Sequence, residues 1–211
     1  MTAAPPTAER RTRVLGLLGG LASGKSEVAR LLAGTDGVVL DADRIAHAVL
    51  ESPPLRAWLA ERFGPALVAG AQVDRAALAA KVFAEPAARA ELEARVHPLV
   101  RAALREGIEQ ARARGVPLVV LDVPLLLENE ATHHLTEACD ALVFVEADAK
   151  VREERARARR GWATDELARR EALQLPLAAK RARADFVLAN DGDLSELRAA
   201  VERVRATLGV S

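Results

Sequence analysis

Five short runs of consecutive apolar residues dominate the hydrophobic pattern along this chain. They are Val14–Leu18, Val38–Leu40, Leu118–Val123, Leu142–Val145 and Phe186–Leu188. Strands of a parallel sheet are apolar at nearly every position, because helices cover both faces of such a sheet. The five runs therefore predict the buried strands of one parallel sheet.

Helical periodicity fills the intervals between these runs. One apolar stripe with a spacing of four residues consists of Val96, Val100, Leu104 and Ile108. His97-Pro98 is predicted to open this helix, because proline is favoured at the first helical position, and Gly115 and Pro117 to terminate it. Alternating strands and helices predict a doubly wound α/β fold.

Two intervals are too long or too polar for a single crossover helix. More than seventy residues with helical periodicity and no good strand separate Asp41 from Leu118, which predicts an insertion of several helices. The interval from Lys150 to Ala184 is also helical and is rich in arginine. It contains Arg155, Arg157, Arg159 and Arg160. These arginines form either a solvated helix face or a mobile lid over a bound phosphate, and the second interpretation is favoured.

The residues from Gly19 to Ser26 complete the pattern G-x-x-x-x-G-K-[ST] between the first apolar run and a helical stretch. In this strand–loop–helix context, backbone N–H groups and the helix N-terminus attract phosphate, and Lys25 reaches the β- and γ-phosphates. The Ser26 hydroxyl is suited to ligate Mg²⁺. A tight glycine turn with a purely structural role is the alternative. We predict a nucleoside triphosphate site formed by Gly20, Leu21, Ala22, Ser23, Gly24, Lys25, Ser26 and Glu27.

Three aspartates follow predicted strands and are candidates for chemistry. Asp41 and Asp43 follow the second strand, and an extended segment would place both carboxylates on one side, facing the phosphate loop. They would hold Mg²⁺ through water or accept a proton, although Asp43 is an equally good helix N-cap. Asp122 at the end of the third strand has the form of a second metal-organising group, or of ordinary turn chemistry.

The composition limits the classes of partner. Thirty basic and thirty acidic residues cancel, so no overall field favours nucleic acid or an anionic membrane. The single Cys139 suits a reducing compartment, and the four histidines show no zinc-ligand spacing with it. No run reaches the length of a membrane span, and the residues through Thr12 look like a loose polar tail without a signal peptide. We predict a cytoplasmic monomer without nucleic-acid or membrane partners.

The pattern as a whole resembles one family, the dephospho-coenzyme A kinases, over nearly all of residues 14–205. The resemblance rests on short motifs whose order and spacing are together specific. These are residues 16–26, 41–46, Phe63-Gly64, Asp74-Arg75, Val82-Phe83, Leu92-Glu93, His97-Pro98, residues 124–128, Gln174, Lys180, Ala184-Asp185, Asn190 and Gly192.

The resemblance implies ATP-dependent phosphorylation of the ribose 3′-hydroxyl of dephospho-coenzyme A, the last step of coenzyme A synthesis. It implies Asp43 as the base, Arg159 as the lid arginine that reaches ATP, and Asn190 as a nucleotide contact. On the same resemblance, the acceptor-binding residues are Asp43, His97 and Asp122. Ser26 and Asp41 bind Mg²⁺, and Asp41 does so through water.

The implied fold is a three-layer P-loop kinase fold with a five-stranded parallel sheet, a helical substrate-binding insertion and an arginine-rich lid. It forms one domain over residues 1–211. The nucleotide-binding core covers residues 12–50 and 112–211, the coenzyme A-binding insertion covers approximately 51–111, and the lid covers approximately 150–172.

Four positions depart from the family pattern: Glu27, His47, Arg152 and Glu171. They bear on lid packing and nucleotide affinity, not on the reaction class. Two other functions stay open from the residues alone: a kinase with another nucleoside or nucleotide acceptor, and a nucleotide-dependent switch or ATPase. The chain has no Asn-Lys-x-Asp guanine-specificity motif, and its lid arginines favour transfer to a substrate over slow hydrolysis.

Overall fold

A computed structural model describes residues 11–163 and 165–210. Five strands form one parallel sheet in the order β2-β3-β1-β4-β5. They are β1 Arg13–Gly19, β2 Val38–Asp41, β3 Leu118–Asp122, β4 Ala141–Glu146 and β5 Phe186–Ala189. The five predicted strands and the α/β fold are therefore confirmed.

The central strand β1 organises the core of the sheet. It pairs with β3 through Leu15 and Val120, and with β4 through Leu17 and Val143. These four side chains are almost completely buried. Because β1 has a strand on each side and helices on its faces, the loop that follows it starts from a rigid base.

Helices occupy the intervals between the strands. In the part of the chain that the structure describes they are α1 Lys25–Ala33, α2 Ala42–Leu50, α3 Pro53–Phe63, α4 Arg75–Ala84, α5 Pro86–Ala113, α6 Glu130–His133, α7 Ala149–Arg160, α8 Glu166–Glu171, α9 Leu177–Ala182 and α10 Leu194–Thr207. Two 3₁₀ turns cover Pro65–Val68 and Thr136–Ala138. Across the described ranges, no helix is long and apolar enough to cross a membrane.

The chain divides into two compact units. One is Asp41–Glu106, and the other combines Met1–Leu40 with Gly107–Ser211, the boundary falling inside α5. The first unit is helical after Asp41, as its periodicity predicted, and has a small core of its own. The fully buried members of that core are Leu59, Leu67, Val73 and Leu78.

Helix α5 begins earlier than its sequence predicted. It starts at Pro86, so the prediction that His97-Pro98 opens it is wrong, and Pro98 lies inside the helix. The apolar stripe continues backwards through the buried Ala88, which holds the earlier turns in place. An interior proline removes one helical hydrogen bond, and Pro98 lies on the exposed face, where water can satisfy the carbonyl that is left unpaired.

The predicted polar tail falls mostly outside the described residues, since residues 1–10 are not among them. Its last two residues are placed, and for them the prediction of a loose tail is wrong. Thr12 is buried, and Arg11 forms an ion pair with Asp140 at 3.0 Å. The next residue, Arg13, already opens β1, so the sheet fixes the chain at this point.

Candidate active site

The predicted phosphate loop joins the end of β1 to the start of α1. Gly24 is the N-cap of α1, with φ 89° and ψ 23°, a left-handed conformation that favours glycine. A side chain at this position would also collide with the amide of Asn190. That amide donates a hydrogen bond to the carbonyl oxygen of Ser23 at 2.8 Å. The buried Asn190, predicted as a nucleotide contact, thus braces the loop from the end of β5.

Several donors of the loop are available to an anion. Helix α1 starts without a side-chain capping hydrogen bond, because its N-cap is the glycine Gly24. The Oγ atom of Ser23 is fully buried and has no hydrogen-bond partner among the described residues. A helix start with uncapped N–H groups carries a partial positive charge that attracts phosphate. The loop therefore has the local chemistry of an anion site.

Lys25 lies within this loop and is strongly perturbed. Its Nζ atom donates to the carbonyl oxygens of Gly20 at 2.9 Å and Gly19 at 3.2 Å. Burial lowers the pKa of Lys25 to about 8, and the carboxylate of Asp122 is the largest opposing influence. A desolvated ammonium is stabilised by any negative ligand that replaces the lost water, so Lys25 is suited to contact phosphate.

Further charges surround Lys25. The positive charges of Lys180 and Arg160 also lower the pKa of Lys25, whereas Glu128 raises it. Asp122 is buried at the end of β3, where its strand pattern predicted an active-site carboxylate. The ammonium of Lys25 is therefore surrounded by two further cations and two carboxylates, which are Lys180, Arg160, Asp122 and Glu128.

Lys180 and Glu128 form a buried pair whose role sequence reasoning missed. The Lys180 Nζ atom lies 2.6 Å from Glu128 Oε1 and donates to Gln174 Oε1 at 3.0 Å. Glu128 follows the apolar residues 125–127 and could equally lie at the surface on sequence alone, yet its side chain is only 14% exposed. The only signal was the presence of all three residues among the family motifs, which gave no indication that they touch.

The arginines of α7 approach the loop to different extents. Arg155 makes a weak 3.4 Å contact with the carbonyl oxygen of Ser23. Arg160 acts on Lys25 electrostatically, and its guanidinium stacks 4.9 Å from the ring centre of Trp162. Arg159, the predicted lid residue, is exposed one helical turn after Arg155 on the same face of α7.

Two departures from the family pattern contact each other. Arg152 of α7 and Glu171 of α8 form an ion pair, and the side chain of Arg152 is only 6% exposed. The same Oε1 atom of Glu171 accepts a hydrogen bond from the backbone N–H of Leu21 at 3.1 Å. Sequence reasoning treated the two residues separately, because nineteen positions and a helix boundary separate them.

The unit Asp41–Glu106 contains the other predicted site residues. Asp41 ends β2 and is the N-cap of α2, accepting from the Arg44 N–H at 3.0 Å. Asp43 lies in the first helical turn, so the expectations of an extended segment and of an Asp43 cap are both wrong. Helix formation starts one residue after the strand, because Asp41 itself supplies the capping oxygen. In the same unit, His97 is exposed on α5.

The remaining predicted residues lie at the start of α1. Ser26 and Glu27 belong to its first turn, and the side chain of Ser26 is exposed. Within the described ranges, no group of three or more His, Cys, Asp or Glu side chains could hold a metal ion.

Three features together define a P-loop phosphotransferase. They are a parallel sheet with a complete phosphate loop after its central strand, a helix start without a side-chain cap, and a desolvated lysine. Comparisons with known proteins narrow this class. The model of the family described as CoaE, dephospho-CoA kinase, matches residues 13–196. The chain belongs to the dephospho-CoA kinase family.

Individual relatives agree with this assignment. The chain is 42% identical to a dephospho-CoA kinase of Deinococcus radiodurans, with 100% of both chains covered. A crystal structure from Thermus thermophilus is 37% identical, with a TM-score of 0.73 over 94% of this chain and 98% of that one. Dephospho-CoA kinase from Campylobacter jejuni, at 21% identity, shares the fold with a TM-score of 0.68 over 93% of this chain and 97% of that one.

Proposed function

We propose that this protein transfers the γ-phosphoryl group of ATP to the ribose 3′-hydroxyl of dephospho-coenzyme A, giving coenzyme A and ADP. The observation that carries the proposal is the family match over residues 13–196, which includes the complete phosphate loop. Phosphoryl transfer depends mainly on positioning and on neutralising charge, and the described loop is rich in suitable groups. The single Cys139 and the balanced charge support a cytoplasmic monomer.

The phosphate loop is the proposed ATP site. The loop from Gly20 to Glu27 cradles the phosphates through backbone N–H groups other than that of Leu21, which is paired with Glu171, and Lys25 neutralises charge on the β- and γ-phosphates. Asn190 supports this role by fixing the Ser23 carbonyl. Magnesium bound with ATP supplies further charge neutralisation, and the exposed Ser26 hydroxyl is an oxygen ligand of the type that Mg²⁺ prefers. Asp41 is proposed to hold this ion through water.

The acceptor is proposed to use Asp43 and His97 of the helical unit and Asp122 of the unit that contains the phosphate loop. Asp43 accepts or orients the proton of the attacking hydroxyl, in the role that the family resemblance assigns to it. His97 and Asp122 contribute to binding of dephospho-coenzyme A, and the insertion at approximately residues 51–111 supplies the surface for it. The exposed position of His97 on α5 is compatible with ligand contact.

Arg159 is proposed to neutralise the charge that develops on the transferring phosphoryl group. Its support is its place on α7, one turn from Arg155, which already contacts the loop. The segment of approximately residues 150–172 then acts as the lid, closing over the nucleotide and excluding water.

Release of ADP in the presence of ATP–Mg²⁺ and a panel of acceptors tests the proposed function. We expect ADP release with dephospho-coenzyme A and little with shikimate, nucleosides or nucleoside monophosphates. The Lys25→Ala variant should keep the fold and lose nearly all turnover, because it removes the ammonium from the phosphates. Equal rates with every acceptor, or with none added, would favour another kinase or a nucleotide-driven ATPase.

A further inference from the structure

One peptide group of the phosphate loop is held from both of its ends by charged side chains. The carbonyl oxygen of Gly20 accepts a hydrogen bond from Lys25 Nζ at 2.9 Å. The N–H of Leu21, in the same peptide group, donates to Glu171 Oε1 at 3.1 Å. Because a trans peptide is planar, its C=O and N–H point in opposite directions. A partner that fixes the N–H therefore also fixes the direction of the carbonyl that meets Lys25.

Glu171 is itself held in place by a buried arginine. Its Oε1 atom is paired with Arg152, whose Nε atom donates to the carbonyl oxygen of Ala147 at 3.0 Å. A Cβ atom on Gly20 would lie 2.7 Å from Arg152 Nη1 and 2.8 Å from Glu171 Oε1, so the pair packs directly against the loop backbone. The pair links the end of β4, the helices α7 and α8, and the phosphate loop.

We infer that Glu171 is a positioning residue for Lys25 that acts through the Gly20–Leu21 peptide, and that Arg152 holds the carboxylate of Glu171 in place. The inference rests on the proposed function, in which Lys25 contacts the transferring phosphate. When Glu171 is lost, the N–H of Leu21 loses its side-chain acceptor. The direction of the Gly20 carbonyl, one of the two that Lys25 Nζ contacts, is then no longer fixed from that side. Since misplacement by about 1 Å can cost up to about 10²-fold in rate, the defect belongs in turnover more than in ATP binding.

The effect of Glu171 is transmitted by hydrogen-bond geometry. The charged groups that act on the Lys25 ammonium are Asp122 at the end of β3, Glu128 in the segment after β3, Arg160 on α7 and Lys180 on α9. Since the Gly20–Leu21 peptide carries no net charge, its rotation changes the direction of the carbonyl that meets Lys25 and leaves these four charges in place.

Four variants test the inference. Glu171→Gln keeps an oxygen that can accept from both Leu21 and Arg152, so it should retain near-wild-type turnover. Glu171→Leu should lower kcat by about tenfold to 10²-fold and change the Kd for ATP less than threefold, on the order of the cost of misplaced groups. Glu154→Leu makes the same change at an exposed position of α7 and should behave as the wild type.

The double variant Arg152→Met with Glu171→Leu separates positioning from folding. Replacing a buried ion pair with apolar residues leaves no stranded charge and is commonly tolerated. Because Leu21 still lacks its acceptor, the double variant should stay as slow as Glu171→Leu. Recovery of wild-type turnover would overturn the inference, since the defect of the single variant would then come only from an unpaired Arg152.

Hydrogen exchange of the Leu21 amide gives a readout that does not depend on the acceptor. The Leu21 N–H donates to Glu171 Oε1 at 3.1 Å, so its exchange should be faster in Glu171→Leu and in the double variant but not in Glu171→Gln. Unchanged exchange in folded variants would overturn the inference. A wild type that transfers no phosphate to dephospho-coenzyme A would refute the proposed function instead, and the exchange measurement would still test the contact.

Discussion

At the scale of single residues, Lys25 is the residue of the candidate site whose pKa is most altered by the fold. Burial lowers its pKa from 10.5 to about 8, so the ammonium is present below this pH and is lost as the pH rises through it. Because kcat/KM reports the free enzyme, kcat/KM for ATP should fall as the pH rises through about 8. Bound phosphates favour the charged form, so the fall in kcat should occur at a higher pH.

Steady-state rates across this pH range check the prediction about Lys25. Buffers of constant ionic strength are needed, because screening alters the contribution of neighbouring charges. A profile of kcat/KM that stays flat from about 8 up to the ordinary lysine pKa of 10.5 would contradict the assignment of Lys25 as the essential cation.

The two aspartates after β2 are predicted to differ in role. Asp43→Asn keeps the shape of the side chain but cannot take a proton, so turnover should fall by about 10²-fold with ATP affinity little changed. Asp41→Asn keeps an oxygen that can cap α2, so the helix should persist while activity requires more Mg²⁺. Turnover measured against Mg²⁺ concentration distinguishes the two variants. Normal turnover in Asp43→Asn together with an inactive Asp41→Asn would reverse the roles.

The residues of the site were predictable from sequence only where a local motif carries them. The loop from Gly19 to Ser26 is such a motif, since its chemistry depends on consecutive residues. Glu171 meets Leu21 across 150 positions, and Lys180 meets Glu128 only through the packing of α9. Pairs of this kind form only when the folded chain brings distant residues together, and a single sequence has no periodic pattern that indicates such contacts.

At the scale of elements, α7 places Arg155 and Arg159 on one helical face, and Arg155 contacts the phosphate loop. Arg159→Ala should lower kcat more than it weakens ATP binding, because its charge is needed most as the phosphoryl group transfers. Calorimetry of ATP binding beside turnover measurements checks this split. Arg157→Ala, on an exposed part of the same helix, is the matched control. An unchanged kcat in Arg159→Ala would shift the role to Arg155 or Arg160, both of which already act on the loop.

Elements buried in the sheet were predicted well, and helix starts were not. All five strands were found because their residues are apolar at nearly every position, which is a strong local signal even in the edge strands β2 and β5, which are only partly buried. The start of α5 was misplaced because Pro98 resembles a first-turn proline, although burial of Ala88 extends the helix to Pro86. The start of α2 was misplaced because Asp41 and Asp43 are both good caps in sequence, and the end of β2 decides between them.

At the scale of the whole molecule, the proposed chemistry is divided between the two units of the chain. Lys25, Asp122 and Asn190 belong to the unit that contains the phosphate loop, whereas Asp43 and His97 belong to Asp41–Glu106. If this division reflects donor and acceptor binding, a substitution on α5 of the helical unit, away from Asp41, should affect the acceptor only. A nucleotide-dependent switch has no small acceptor substrate, so it would not need a second unit to bind one.

His97→Ala tests this division directly. Loss of one hydrogen bond to the acceptor should raise the Kd for dephospho-coenzyme A about tenfold and leave the Kd for ATP unchanged. Arg89→Ala is the control, because Arg89 is exposed on the same helix and pairs only weakly with Glu93 across one turn. Calorimetric titration with each substrate separately gives both constants without turnover. Equal weakening of ATP and dephospho-coenzyme A binding would contradict the division. If His97 contacts only the acceptor, its substitution should not change the affinity for ATP measured without the acceptor.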